Sequence, residues 1–201
     1  MKIPLFPLDV VLFPGAALPL HVFEERYREM IGECLRSGAV FGVVRAQRDG
    51  LAVTGCSAKI VHVLERYADG RMDILCEGVQ RFEIELLDNA RAFLQADVEF
   101  FEDDGRMATR AAREECAALH FETLELAGME MTAMNLDLDA PIAFDLASTL
   151  PSDLGFKQML LSCRSDADRT GRLREFYHAI LPKLRSGARA VKTSGSNGHV
   201  M

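Results

Sequence analysis

Proline stands at positions 4, 7, 14 and 19 of the opening stretch IPLFPLDVVLFPGAALPLHVFEERYREMI. Each one fixes φ and carries no amide proton, so this segment can neither run on as a helix nor sit in the middle of a hydrogen-bonded ladder. Strand starts, sheet edges and turns remain, and Pro14-Gly15 marks one such turn. The same prolines, with Asp9, interrupt the apolar run of about 7 to 15 residues that a secretory leader needs. The opening is therefore read as part of the folded protein, and the chain as cytoplasmic.

Helical spacing sets in next. Phe23, Tyr27, Met30, Ile31, Cys34 and Leu35 form an apolar stripe between charged positions, which predicts an amphipathic helix over about 23–36, closed at Gly38. From Val40 to Phe101 short apolar runs are separated by Asp49-Gly50, Asp69-Gly70 and Asp88-Asn89, the chemistry of hairpin turns. In RFEIELL, Phe82, Ile84 and Leu86 alternate with Arg81, Glu83 and Glu85, predicting a buried face for the first set and a wet one for the second.

After FEDDGR the strand signals stop. A long helix is predicted over about 108–127, with Leu119, Thr123 and Leu126 on one stripe, and a second from Asp139 with Pro141 in its first turn. A third is capped by Ser152. A last one opens on a Ser165/Asp168 capping box and carries Leu173, Phe176, Tyr177, Ile180, Leu181 and Leu184. The fold class is α+β: a β-rich part over 1–104, a curved antiparallel sheet or pseudo-barrel, then a helical bundle over 105–185 and a flexible tail over 186–201.

Composition narrows the function. A net charge of −7 works against binding a polyanion, since nucleic-acid affinity rests on Lys and Arg neutralising phosphates. No apolar stretch nears the ~20 residues of a membrane span. The five cysteines (Cys34, Cys56, Cys76, Cys116, Cys163) are odd in number and scattered without C-x-x-C spacing, which fits neither a disulfide framework nor a zinc ribbon. Cys116 and His120, four apart on a helix, make at most half of a metal site. His62 on a strand and His21 ahead of the first helix are read as structural or solvent-facing. No cofactor and no metal is expected.

The opening stretch, taken together with FGVV at 41–44, VTGCSAKIVHV, Asp69-Gly70-Arg71, EGVQRFEI and LASTLPSDLGFKQMLLSCRSDADRTGRLREFY, resembles the amino-terminal, substrate-binding domain family of Lon proteases over about residues 3–185. Where members read Phe-Glu-Pro-Arg-Tyr-Arg, Glu25 replaces the proline; both suit a first helical turn. The resemblance implies a PUA-like curved sheet followed by helices and a recognition role without chemistry. It also implies a stand-alone member, since no G-x-x-x-x-G-K-[ST] phosphate loop is present and Ser57/Lys59 lack the surroundings of a Ser-Lys peptidase.

The expected function is thus non-catalytic recognition of unfolded or apolar polypeptide segments, or of a partner protein. An uncharacterised Cys/Ser hydrolase and an RNA-binding barrel are the alternatives. Candidate contact residues are Phe100, Phe101 and Met107 at the junction of the two halves, and Met129, Met131 and Met134, whose flexible thioethers adapt to varied partners; core filling is the competing role for these methionines. Oligomeric state is left open.

Overall fold

Where proline forbids helix, the chain is extended: β1 (Lys2–Leu8) and β2 (Ala17–Val22) flank the Pro14-Gly15 turn. The computed structural model describes residues 1–129 and 135–195, with side chains to 187. Helix α1 (Glu25–Ser37) follows, burying Tyr27, Met30, Ile31 and Cys34, and ends at Gly38, whose φ of 68° is the left-handed cap that glycine adopts at least cost. Then come β3 (Phe41–Gln47), β4 (Gly50–Leu51), β5 (Thr54–Arg66), the 17-residue β6 (Met72–Asp88) and β7 (Gln95–Phe100). Hairpin turns fall at Asp49-Gly50 and Asp69-Gly70, as their chemistry predicts.

Strand neighbours run β1-β7-β6-β5-β3, and β3 returns to β1 by a parallel pairing of Leu5 to Leu8 with Gly42 to Arg45, so the sheet closes on itself. Every other pairing is antiparallel. Its interior holds Ile3, Leu5, Val44, Phe82, Ala96 and Val98. β2 lies outside this ring, paired only with the first third of β6 (Ala17 to Val22 against Glu77 to Met72). Among the described residues its other edge is unpaired, and Pro19 within it removes one donor, a common way to blunt a free edge.

The alternation predicted for RFEIELL holds only in part. The β6/β7 register shifts between Ile84 and Leu86, so Phe82 is fully buried while Leu86 is 64% exposed. A bulge adds one residue to one strand and turns everything beyond it over. Arg81, expected on the wet face, is buried; it pairs with Asp103, donates to the Leu161 carbonyl at 3.1 Å and lies over the Phe101 ring at 4.6 Å.

The remaining elements are α2 (Arg110–Leu126), α3 (Ala143–Thr149), α4 (Leu154–Ser162) and α5 (Asp166–Gly195). Thr109 caps α2 by accepting from the Ala112 amide, and the buried stripe is Arg113, Cys116, Ala117, His120, Thr123 and Leu124. The helix expected from Asp139 starts later, because residues 138–140 form a turn and a residue before proline, here Ala140, is pushed away from helical angles. Asp153, not Ser152, caps α4: its Oδ1 accepts from the Phe156 amide at 3.0 Å. At α5 the capping box is half made, for Ser165 Oγ accepts from the Asp168 amide while the Asp168 carboxylate turns to Arg106.

The chain divides into two units: Met1–Asp103 with Pro151–Ser162, and Asp104–Leu150 with the chain from Cys163 onward. α4 belongs to the first, tied to the barrel by Gln158 Nε2 donating to the Thr54 carbonyl at 2.9 Å and by Arg81. α5 continues to Gly195, into the stretch expected as a tail; residues 196–201 lie outside the described residues.

Candidate functional site

A groove lies beside the opening strands. Pro7 cannot donate to a neighbour on its open side, β2 stands outside the barrel, and α1 starts immediately after β2. Between these three elements lies an apolar cavity of about 510 Å³, lined by Phe6, Pro7, Leu8, Leu20, His21, Val22, Phe23, Glu24, Arg26 and Tyr27. The floor is aromatic: Phe6 and Tyr27 are buried, their ring centroids 4.1 Å apart, with Phe41 behind Phe6 at 6.2 Å. Val22 is buried and Leu8 and Leu20 are half-buried, so the walls are apolar too.

Phe23 stands at the mouth, 60% exposed. Counting it in the helical stripe predicted a buried ring. Glu24, however, is the extended residue before α1, with φ −70° and ψ 136°, so Phe23 lies outside the helix and the 3.6-residue period does not apply to it. A large apolar side chain left in water beside an apolar groove is the mark of a contact surface.

Three polar groups edge the mouth. Arg26 bonds Glu24 and lies over the Tyr27 ring at 4.5 Å. His21 stacks beside Phe23 at 5.9 Å and meets Asp73 Oδ1 through Nδ1 at 2.5 Å. Tyr67 donates to the other oxygen of Asp73 at 2.7 Å. The bond from His21, then that from Tyr67, holds the Asp73 carboxyl below the usual carboxylate range, while the bond to Asp73 pushes the Tyr67 hydroxyl up to about 12. An ionised Asp73 only accepts, so Nδ1 of His21 carries a proton and Nε2 is left to the surroundings. A His-Asp pair orients an imidazole in hydrolases as well, but acyl transfer also needs a nucleophile. Among the described residues no Ser, Thr or Cys lines this groove.

Four of the five cysteines lie in surroundings opposite to those of a nucleophile. Cys34, Cys56, Cys76 and Cys116 are buried and free, and burial pushes their thiols up to about 11 for Cys34 and about 12 for the others. A reactive thiol needs the opposite shift. Ser57 is buried with its hydroxyl donating to the Gln80 carbonyl, while Lys59 pairs with Glu77. His62 is exposed on β5. His120 Nδ1 meets the Tyr177 hydroxyl at 2.9 Å and Nε2 meets Thr149 Oγ1 at 3.1 Å, which occupies both ring nitrogens. Among the described residues no group of three or more His, Cys, Asp or Glu is placed to hold a metal ion, and no helix is long and apolar enough to cross a membrane.

The residues singled out from sequence fall elsewhere. Phe100 is half-buried against Phe82 at 6.1 Å, and Phe101 is buried under Arg81, both in the first unit. Met107 (49% exposed) and Met129 (42%) belong to the second unit. Met131 and Met134 lie outside the described residues. The groove residues were passed over because each, taken singly, has an ordinary structural role. The available signal was Phe23: an aromatic side chain immediately ahead of a helix start.

Comparison with known proteins points to one family. The model of the ATP-dependent protease La (LON) substrate-binding domain matches residues 2–178. A Lon protease of Parabacteroides distasonis is 34% identical over 110 residues, which is 50% of this chain and 13% of that protein, so the chain spans a small fraction of such relatives. Among solved structures, a Lon N-terminal domain protein from Xanthomonas campestris matches with a TM-score of 0.69 and 26% identity, covering 86% of this chain and 96% of its own. The N-terminal domain of the Mycobacterium avium complex Lon protease matches in fold, with a TM-score of 0.66 at 18% identity over 89% of this chain and 98% of its own.

Proposed function

Since the chain belongs to the Lon substrate-binding domain family, we propose that it binds unfolded or apolar polypeptide segments, that it does so without chemistry of its own, and that the groove between β1, β2 and α1 is where they seat. The observation that carries this reading is Phe23, a mostly exposed phenylalanine at the mouth of a groove floored by Phe6 and Tyr27. An extended segment would lay one bulky side chain on that floor and pass its backbone between His21 and Pro7. Aromatic anchors in such pockets carry a disproportionate share of binding energy. Binding is weak, because the occupant loses conformational freedom on docking. Met107 and Met129, exposed on the second unit, supply adaptable apolar contacts for the same kind of occupant.

Neither alternative gains support from the site. The thiols of Cys34, Cys56, Cys76 and Cys116 are held neutral by burial, and the acidic residues at the groove mouth repel phosphate. The test is a titration of a fluorescently labelled, permanently unfolded protein against the wild-type chain and Phe23→Ser. Phe23 lies outside the core, so its replacement leaves the melting temperature in place. The expected result is a loss of affinity of about tenfold or more. Equal affinity for the two proteins would remove the groove from the account.

A further inference from the structure

We propose that the groove selects polypeptide segments in which a bulky apolar residue is flanked by lysine or arginine, the basic side chain lying over the acidic start of α1. This rests on the groove being a polypeptide site and adds the charge of its occupant. Glu24 and Arg26, at the groove mouth, also line a second, shallower depression together with Glu25, Glu29 and Ala92. An occupant leaving the groove past Glu24 therefore crosses this shelf. Its charges are three carboxylates against one guanidinium, and that guanidinium is already engaged by Glu24 and the Tyr27 ring.

The neighbouring cations, Arg91 and Arg36, are engaged by other carboxylates and leave Glu25 uncompensated: Arg91 is shared between Glu29 and Glu33, at 2.7 and 2.6 Å, and Arg36 acts on Glu33. Arg28 is turned away and donates to the Asp69 carbonyl. Glu25 is exposed and makes no ion pair among the described residues. The start of a helix attracts negative charge with the equivalent of only about half an elementary charge, too little to cancel the excess. A cationic side chain on the occupant is the group that fits, and at a net charge of −7 the whole chain disfavours acidic segments further. An exposed pairing of this kind is modest in size, roughly three- to fivefold in affinity.

The test uses labelled twelve-residue Gly/Ser peptides carrying one central phenylalanine flanked on both sides by Lys, by Ala or by Glu, titrated by fluorescence anisotropy against the full chain. The expected order of affinity is Lys, Ala, Glu, with a Lys-to-Ala ratio of roughly three to five that shrinks toward one in 0.5 M salt and in Glu25→Lys. Glu25 is exposed, so the reversal does not threaten the fold. Equal binding of the Lys and Ala peptides, together with a loss in Phe23→Ser, would overturn the charge preference while leaving the groove as the site. A preference that persists undiminished in Phe23→Ser would place it elsewhere and overturn it as well. No binding by any of the peptides would remove both the preference and the polypeptide reading.

Discussion

His120 shows how a single buried group can tie stability to pH. It is fully buried, and one tautomer satisfies the donors around it: the Tyr177 hydroxyl donates to Nδ1, Nε2–H donates to Thr149 Oγ1, and the threonine hydroxyl donates on to the carbonyls of Leu146 and Asp145. The ring is neutral, and burial lowers its pKa from 6.5 to about 4. Between those values the unfolded chain takes up a proton that the folded one refuses, so stability is complete above about pH 6.5 and falls as pH drops toward 4. Unfolding in denaturant at pH 7 and pH 4.5 should show a loss at the lower pH from this residue on the order of 2 kcal/mol. His120→Gln, less stable at pH 7, should show a shallower decline; identical slopes in the two proteins would mean that the imidazole is charged in the fold. In the sequence, Cys116 and His120 suggested at most two metal ligands on one helical face. The partners that occupy this ring, Tyr177 and Thr149, lie 57 and 29 residues away, and nothing in helical spacing announces them.

Among the elements, β6 is the one on which the fold turns, since it pairs with β2, β5 and β7. Gly78, where the β2 pairing ends, is pressed against the chain that crosses it: a Cβ there would sit 2.1 Å from the Phe13 carbonyl oxygen. Gly78→Ala must push backbone aside, so a loss of about 1–3 kcal/mol is expected. Gly171→Ala, inside α5 with nothing within 4 Å of the added carbon, should be neutral or stabilising by up to about 1 kcal/mol. Thermal melts of the two variants check the pair, and a harmless Gly78→Ala would mean that the crossing at Phe13 is looser than described. Local chemistry made much of this layer legible. The prolines placed β1 and β2, the Asp-Gly pairs placed two hairpins, and Gly38 placed the end of α1. What sequence periodicity could not show is the register shift beyond Ile84, which exposes Leu86, or the burial of Arg81, which depends on Asp103 and Leu161 arriving from elsewhere in the chain.

At the scale of the whole molecule, the opening stretch serves as scaffold and, in the function proposed above, as site. Its two strands, with the start of α1, bound the groove. The family resemblance was legible in those residues; the position of the groove was not, because it depends on Phe6, Leu20 and Tyr27 converging from two strands and a helix. Methionine content drew attention instead to Met107, Met129, Met131 and Met134. The central claim, that polypeptide seats in the groove, is tested most directly by backbone amide chemical shifts of the isotopically labelled chain, recorded as an unlabelled unfolded protein is added. The account predicts that the largest shifts cluster at residues 6–8 and 20–27. Shifts confined to the second unit, with these segments unmoved, would contradict it.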